Sequence, residues 1–138
     1  INIIHADDES RTKLLTGIED NKLVGDIKNT LNNTNVKIVD KDGNELSDTE
    51  KLGTGFKVQL FIGNEVTDSA VAVIKGDVDG TGTIDVLDME AIQKSILGIG
   101  DKLSGAYKEA ASLSGGEDIT VLDMEVIQKD ILGIQKIN

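Results

Sequence analysis

Asp77-Val78-Asp79-Gly80-Thr81-Gly82-Thr83-Ile84-Asp85-Val86-Leu87-Asp88 sets the frame for the rest of the chain. Oxygen-bearing side chains stand at positions 1, 3, 5, 9 and 12 of this twelve-residue stretch: Asp77, Asp79, Thr81, Asp85 and Asp88. Gly82 falls at position 6, where a loop wrapped round a cation makes its sharp turn, and Thr83 at position 7 offers a backbone carbonyl. A hard cation takes six to eight oxygens at about 2.3 to 2.6 Å, and this spacing folds them round one point. Four carboxylates held so close repel one another unless a positive charge sits among them. The residue types and the spacing together predict one calcium ion on Asp77, Asp79, Thr81, Thr83, Asp85 and Asp88. The helix-like run that follows directly adds to the signal. The competing reading is an acidic turn in a surface hairpin.

Outward from this loop, the chain repeats itself. Residues 86–99 read V-L-D-M-E-A-I-Q-K-S-I-L-G-I, and residues 121–134 read V-L-D-M-E-V-I-Q-K-D-I-L-G-I. Only Ala91/Val126 and Ser95/Asp130 differ, at a constant offset of 35 residues. Such self-similarity marks a duplicated supersecondary unit. Each copy reads as a helix, with Met89, Ile92, Ile96 and Ile99 spaced to form one buried stripe. Asp88 and Glu90 suit the positive end of the helix dipole. Gly98 and Gly133 are natural C-terminal stops. Two short helices of this kind need each other, so they are expected to pack antiparallel with pseudo-two-fold symmetry and with their loops paired. A short helix from Tyr107 to Ala111 is expected to cover the pair through Tyr107, Ala110 and Ala111.

The second loop departs from the first. Ser112, Ser114, Gly116, Thr120 and Asp123 take positions 1, 3, 5, 9 and 12, and Glu117 replaces the glycine at position 6. One side-chain carboxylate remains at those positions, and calcium affinity follows ligand charge. This loop is therefore expected to be empty, its shape held by Ser112, Ser114 and Thr120 bonding to backbone N–H groups. A rearranged site using Glu117 and Asp118 is the exception to watch for.

The first 75 residues have a different character. Residues 1–11 read as a strand or linker with the acidic run Asp7, Asp8, Glu9. Strands follow at Lys13–Ile18, Val36–Val39, Phe56–Ile62 and Val66–Ile74. A helix is expected over Asn21–Asn33, with Leu23, Val24, Ile27 and Leu31 on one face. Asp42-Gly43 and Gly63-Asn64 are turn signals, and Gly53-Thr54-Gly55 is a further break. The expected fold is thus a small α+β module over residues 1–75, one helix on a mainly antiparallel sheet. Lys75-Gly76 marks the boundary. An all-α module of two antiparallel loop–helix repeats with a short linker helix follows over residues 76–138, with repeats at about 77–99 and 112–134. Nothing in residues 1–75 converges as a catalytic constellation, and His5, the one histidine, reads as incidental.

Bulk properties narrow the function. The chain has 138 residues and a net charge of −11. Residues 1–76 hold 13 acidic against 9 basic side chains (−4), and residues 77–138 hold 12 against 5 (−7). That balance argues against nucleic acid, which calls for clustered Lys and Arg, and against an anionic membrane surface. No apolar run approaches the ~20 residues of a membrane span. Aromatics are 2% of the chain, so the core is aliphatic, and without cysteine there are no disulfides. The start at Ile1, with no initiating Met or signal peptide, reads as a fragment of something longer.

A twelve-residue loop ending in Asp, a helix ending I-L-G, and the duplication of both resemble the type I dockerin module over about residues 75–138. Three details separate the pattern from calmodulin-like EF-hands. Val71–Lys75 before the loop reads as a strand, position 12 is Asp88 and not Glu, and the copies lie 35 residues apart. The segment ahead loosely resembles the small X-type modules that often precede dockerins. The resemblance implies a secreted, calcium-dependent, non-catalytic module. Such modules bind cohesins of scaffoldins or cell-surface proteins in anaerobic bacteria that build cellulosomes for polysaccharide catabolism. The parent protein's activity, for example that of a glycoside hydrolase, stays open.

By the same resemblance, the cohesin-recognition positions are Val86, Leu87, Gln93, Lys94 and Gly98, and in the second copy Val121, Leu122, Gln128, Lys129 and Gly133. Val-Leu is more apolar than the Ser-Thr pair of many dockerins, which implies an apolar patch on the partner. An exposed Val-Leu pair beside Gln and Lys makes an anchor with a polar rim; the other reading packs Val86 and Leu87 in the core. Because both copies keep the same residues, a partner is expected to dock in either of two orientations. The alternatives are an EF-hand-type calcium sensor, which needs an apolar groove opened by the ion, and a calcium-stabilised structural domain with no cohesin partner.

Overall fold

Among the described residues the chain forms five strands and a single helix before residue 73, then loops and helices. The computed structural model describes residues 1–6, 11–116 and 118–137; the run Asp7, Asp8, Glu9 and Glu117 of the second loop lie outside them. The elements are β1 (Asn2–His5), β2 (Lys13–Thr16), α1 (Val24–Leu31), β3 (Val36–Val39), β4 (Lys57–Ile62), β5 (Glu65–Ala72), α2 (Val86–Leu97), α3 (Gly105–Ala111) and α4 (Val121–Ile131).

The five strands form one sheet in the order β1-β2-β5-β4-β3. β2 and β5 run parallel, with Leu14 opposite Val71 and Leu15 opposite Ala72, while the other neighbours are antiparallel. Successive strand residues point to opposite faces, so the adjacent Leu14 and Leu15 serve two different cores. Leu15, Ala72, Val58 and Ile38 meet Val24 and Ile27 of α1 on one face. Leu14 and Val73 meet Ala6, Ala106 and Ala110 on the other. The small side chains of α3 let that helix lie close against the sheet.

This arrangement overturns the expected class, an α+β module on a mainly antiparallel sheet followed by an all-α module. The sheet is mixed, its β2–β5 pair parallel, and among the described residues the helices are four, all short. α3 belongs to the sheet as much as to its helical neighbours: Ala106 and Ala110 pack on strand residues, and only Ala111 joins the α2–α4 cluster. Tyr107 likewise turns toward the first half, its ring lying over Gly55. Periodicity shows that a helix has an apolar stripe but not which surface will cover it. Lys75-Gly76, the expected boundary, is tied down on both residues. The Lys75 ammonium bonds Glu109 O, Glu109 Oε1 and Ser112 O, and Gly76 N donates to Ala110 O.

The duplication is visible in the third core. Val78 and Leu113, Ile84 and Ile119, Met89 and Met124, and Ile92 and Ile127 each stand 35 residues apart, and all eight join one cluster. The stripe is narrower than its spacing suggests. Ile92 and Ile127 are fully buried, Met89 is half-buried, and Ile96 and Ile99 are exposed. α2 stops at Leu97 because Gly98 takes a left-handed φ of 71°, a conformation glycine adopts without steric cost; Ile99 therefore leaves the helix axis. Truncating Ile92 or Ile127 to Ala is expected to cost about 2 to 5 kcal/mol, as for other fully buried aliphatic side chains. A drop of under about 1 kcal/mol in denaturant melts would mean that the two helices are not clamped through these residues.

Candidate metal centre and exposed helix faces

The site is built where β5 ends and α2 begins. Asp77, Asp79 and Asp88 each bring a carboxylate oxygen within 4.8 Å of the others. Asp77 and Asp88 are wholly buried, and Asp79 is exposed. The polypeptide aims these groups with its own amides. Asp77 Oδ1 accepts from Thr81 N at 3.0 Å, and its Oδ2 from Gly82 N and Thr54 N, both at 2.9 Å. Asp88 Oδ1 accepts from Asp79 N at 3.0 Å, and Oδ2 from Asp85 N at 2.8 Å. The second of these bonds is half of a capping box, whose reciprocal bond runs from the Asp88 amide to the Asp85 side chain; Asp85 Oδ1 also accepts from Leu87 N at 3.0 Å. One carboxylate thus starts α2 and faces the cluster at the same time.

Of the six residues expected as ligands, the fold gathers three as a triad. Thr81 joins at the rim: its hydroxyl donates to Asp79 Oδ1 at 3.1 Å and to the Thr83 carbonyl at 3.2 Å, which places that carbonyl in the same polar network. Asp85 lies outside the triad and serves as the N-cap of α2.

Full ionisation of this set is costly without a counter-charge. Burial pushes the Asp77 carboxyl up to about 6 and the Asp88 carboxyl up to about 8, and nearby Asp79 adds to both shifts. Bonds from Thr54 and Gly82 offset part of the rise at Asp77, and bonds from Asp79 and Asp85 part of that at Asp88. Burying like charges together is unfavourable, and a divalent cation is the counter-charge such an oxygen-only set suits. The residues fit that ion in donor type, burial and sequence spacing.

The second loop behaves in the opposite way. Asp123, equivalent to Asp88 and also buried, joins no cluster of three or more such groups among the described residues. Its Oδ1 accepts from Leu113 N, Ser114 N and the Ser114 hydroxyl at 2.8 to 3.0 Å, and its Oδ2 from Thr120 N at 2.7 Å. Burial works to raise its pKa, but the bonds from Thr120, Leu113 and Ser114 outweigh it and hold the carboxyl below its ordinary value. Amides and a hydroxyl thus hold this loop. Thr120 caps α4 by accepting from Leu122 N, as the sequence suggested, whereas the Ser114 hydroxyl donates to Asp123 rather than accepting from an amide. Asp118 is exposed.

Above the loops, both helix starts present bare hydrocarbon. Val86 and Leu87 are 66% and 53% exposed, and Val121 and Leu122 are 65% and 58%. These values exclude core packing for all four. Gln93, Lys94, Gly98, Gln128 and Gly133 are exposed, and Lys129 is half-buried. Lys94 pairs with Glu90 at 3.0 Å and Lys129 with Glu125 at 3.3 Å, so each face carries the same i,i+4 ion pair. The sequence reading missed Leu97 and Leu132, each 63% exposed, which extend the same apolar strips. Their signal was the second apolar residue of each I-L-G run. It also missed Thr54, which reaches Asp77 from the first half of the chain and carries no local sign of that role.

Comparison of the chain with protein-family models, with curated proteins and with solved structures finds no match.

Proposed function

We propose that this chain is a calcium-dependent, non-catalytic docking module of the dockerin kind, which attaches its parent protein to a cohesin outside the cell. The observation that carries the reading is a carboxylate triad, two of its members buried, at the base of a helix whose first two residues form an exposed apolar pair, a pair repeated 35 residues on. The ion neutralises Asp77, Asp79 and Asp88 and stiffens the turn that aims α2. One ion is bound; the second loop needs none, because Asp123 is already satisfied by amides and a hydroxyl. Val86-Leu87 and Val121-Leu122 are the apolar anchors, with Gln93, Lys94, Gln128 and Lys129 as the polar rim. Gly98 and Gly133 leave the ends of the two faces open for close approach. Equivalent faces allow the partner to sit in either of two orientations.

Titrating the chain against a panel of cohesins, in calcium and in chelator, tests the reading. Binding to at least one cohesin in calcium, lost in chelator, is the expected result. A chain that takes up calcium but binds no cohesin would reject the partner. A chain that shows no heat on calcium addition would reject the ion.

A further inference from the structure

The cation loop does not stand alone. Residues 52–55, between β3 and β4, lie directly against it. The Thr54 amide donates to Asp77 Oδ2, and the buried Thr54 hydroxyl accepts from Ile74 N at 3.0 Å and donates to Ile74 O at 3.3 Å. The loop backbone is pressed as close as glycine allows. A methyl group on Gly53 would sit 2.0 Å from the Gly80 carbonyl oxygen, and one on Gly82 would sit 2.5 Å from that of Leu52. Farther round, Gly82 O accepts from Asn21 N at 2.7 Å, and the Thr83 hydroxyl donates to Asn21 Oδ1 at 2.9 Å.

We infer that residues 52–55 are an outer wall of the cation site: the Thr54 amide holds the Asp77 carboxylate in its ligating position, and the first half of the chain thereby sets the ion affinity. This rests on the calcium reading above and deepens it. Outer hydrogen bonds to a ligating carboxylate fix its orientation, and losing such partners typically lowers metal affinity about 10- to 100-fold. Thr54 is a positioning residue, since it touches the ligand and not the ion. Linkage makes the effect reciprocal. If the wall strengthens ion binding, the ion must strengthen the seating of residues 52–55 on the loop, so that calcium joins the two halves of the chain as well as ordering the helix.

Calorimetric calcium titration of the full chain and of Gly53→Ala tests this. Gly53 has no positive φ, so the added methyl acts by forcing the wall and the Gly80 carbonyl apart and not by straining its own backbone. Affinity at least tenfold below wild type is expected; wild-type affinity in a folded Gly53→Ala chain would overturn the inference. Should that variant fail to fold, amide exchange of the unaltered chain decides. Calcium is expected to slow exchange of the Thr54 amide at least tenfold and to leave the β3–β4 amides unchanged. Equal Thr54 exchange in calcium and in chelator would overturn it. If the wild-type chain binds no calcium, the underlying ion reading fails instead, which is a different outcome from a wild type that binds and a variant that binds equally well.

Discussion

Asp88→Asn is expected to leave a folded chain that calcium no longer stabilises. At free calcium 100-fold above its Kd, the wild-type chain gains about 2.7 kcal/mol from one site, and the variant gains none in the same melts. Asparagine keeps a carbonyl oxygen that can accept from Asp79 N or Asp85 N, so much of the capping geometry survives. It also removes a carboxyl that burial makes costly to ionise, driving it up to about 8, so in chelator the variant is expected to be at least as stable as wild type. Asp88→Ala separates the two roles further. It leaves the part-buried Asp79 and Asp85 amides without their acceptor, at up to about 1 kcal/mol for each lost bond where water can reach the amide, and it lowers stability with or without calcium. Asp77→Asn should behave like Asp88→Asn, since its carboxylate is likewise buried beside Asp79 and held by three amides. Calcium-dependent stabilisation of Asp88→Asn equal to that of wild type would place the ion elsewhere.

The second large effect concerns the two exposed faces. Truncating Val86, Leu87 and Lys94 to Ala, or Val121, Leu122 and Lys129 to Ala, should each leave cohesin affinity within a few-fold of wild type. All six truncations together should lower it by roughly 30-fold or more, the loss that follows from removing even one central anchor worth about 2 kcal/mol. The first half of this expectation depends on a partner that can turn round and use the intact copy. The equivalence of the copies favours it: both helices begin with the same capping arrangement, Asp85 with Asp88 and Thr120 with Asp123. Both also present a Val-Leu pair at least half exposed. If one triple variant abolishes binding while the other changes nothing, the partner uses a single face. The six substitutions lie on exposed or half-buried positions, so the melting temperature should move little, and a loss of affinity would report on contact and not on folding.

Local features of the chain were legible because each rests on near neighbours. The loop spacing at Asp77, Asp79 and Asp88 foretold a cluster, since twelve residues can bring those groups together without help from elsewhere. The glycine stops and the short strand Val36–Val39 follow from the same short-range chemistry, whereas Asp85, expected as a ligand, caps α2 instead. The 35-residue offset foretold a shared core, and Ile92 and Ile127 do meet in it. The reading failed where a surface had to choose between partners. Ala106 and Ala110 carry no mark that sends them to Leu14 and Val73 and not to the α2–α4 pair. Ile96 looked like a core residue by spacing, yet it lies at the edge of a contact centred on Ile92.

Residue order alone established the acidic loop, the doubled helix and the apolar pair that opens each copy, because these depend on contacts within a few turns of chain. Folding in three dimensions settled that the sheet is mixed, that α3 leans on it, and that the Thr54 amide reaches the Asp77 carboxylate across 23 residues. Those outcomes depend on which of several apolar faces and buried polar groups find one another, a competition decided over the whole molecule.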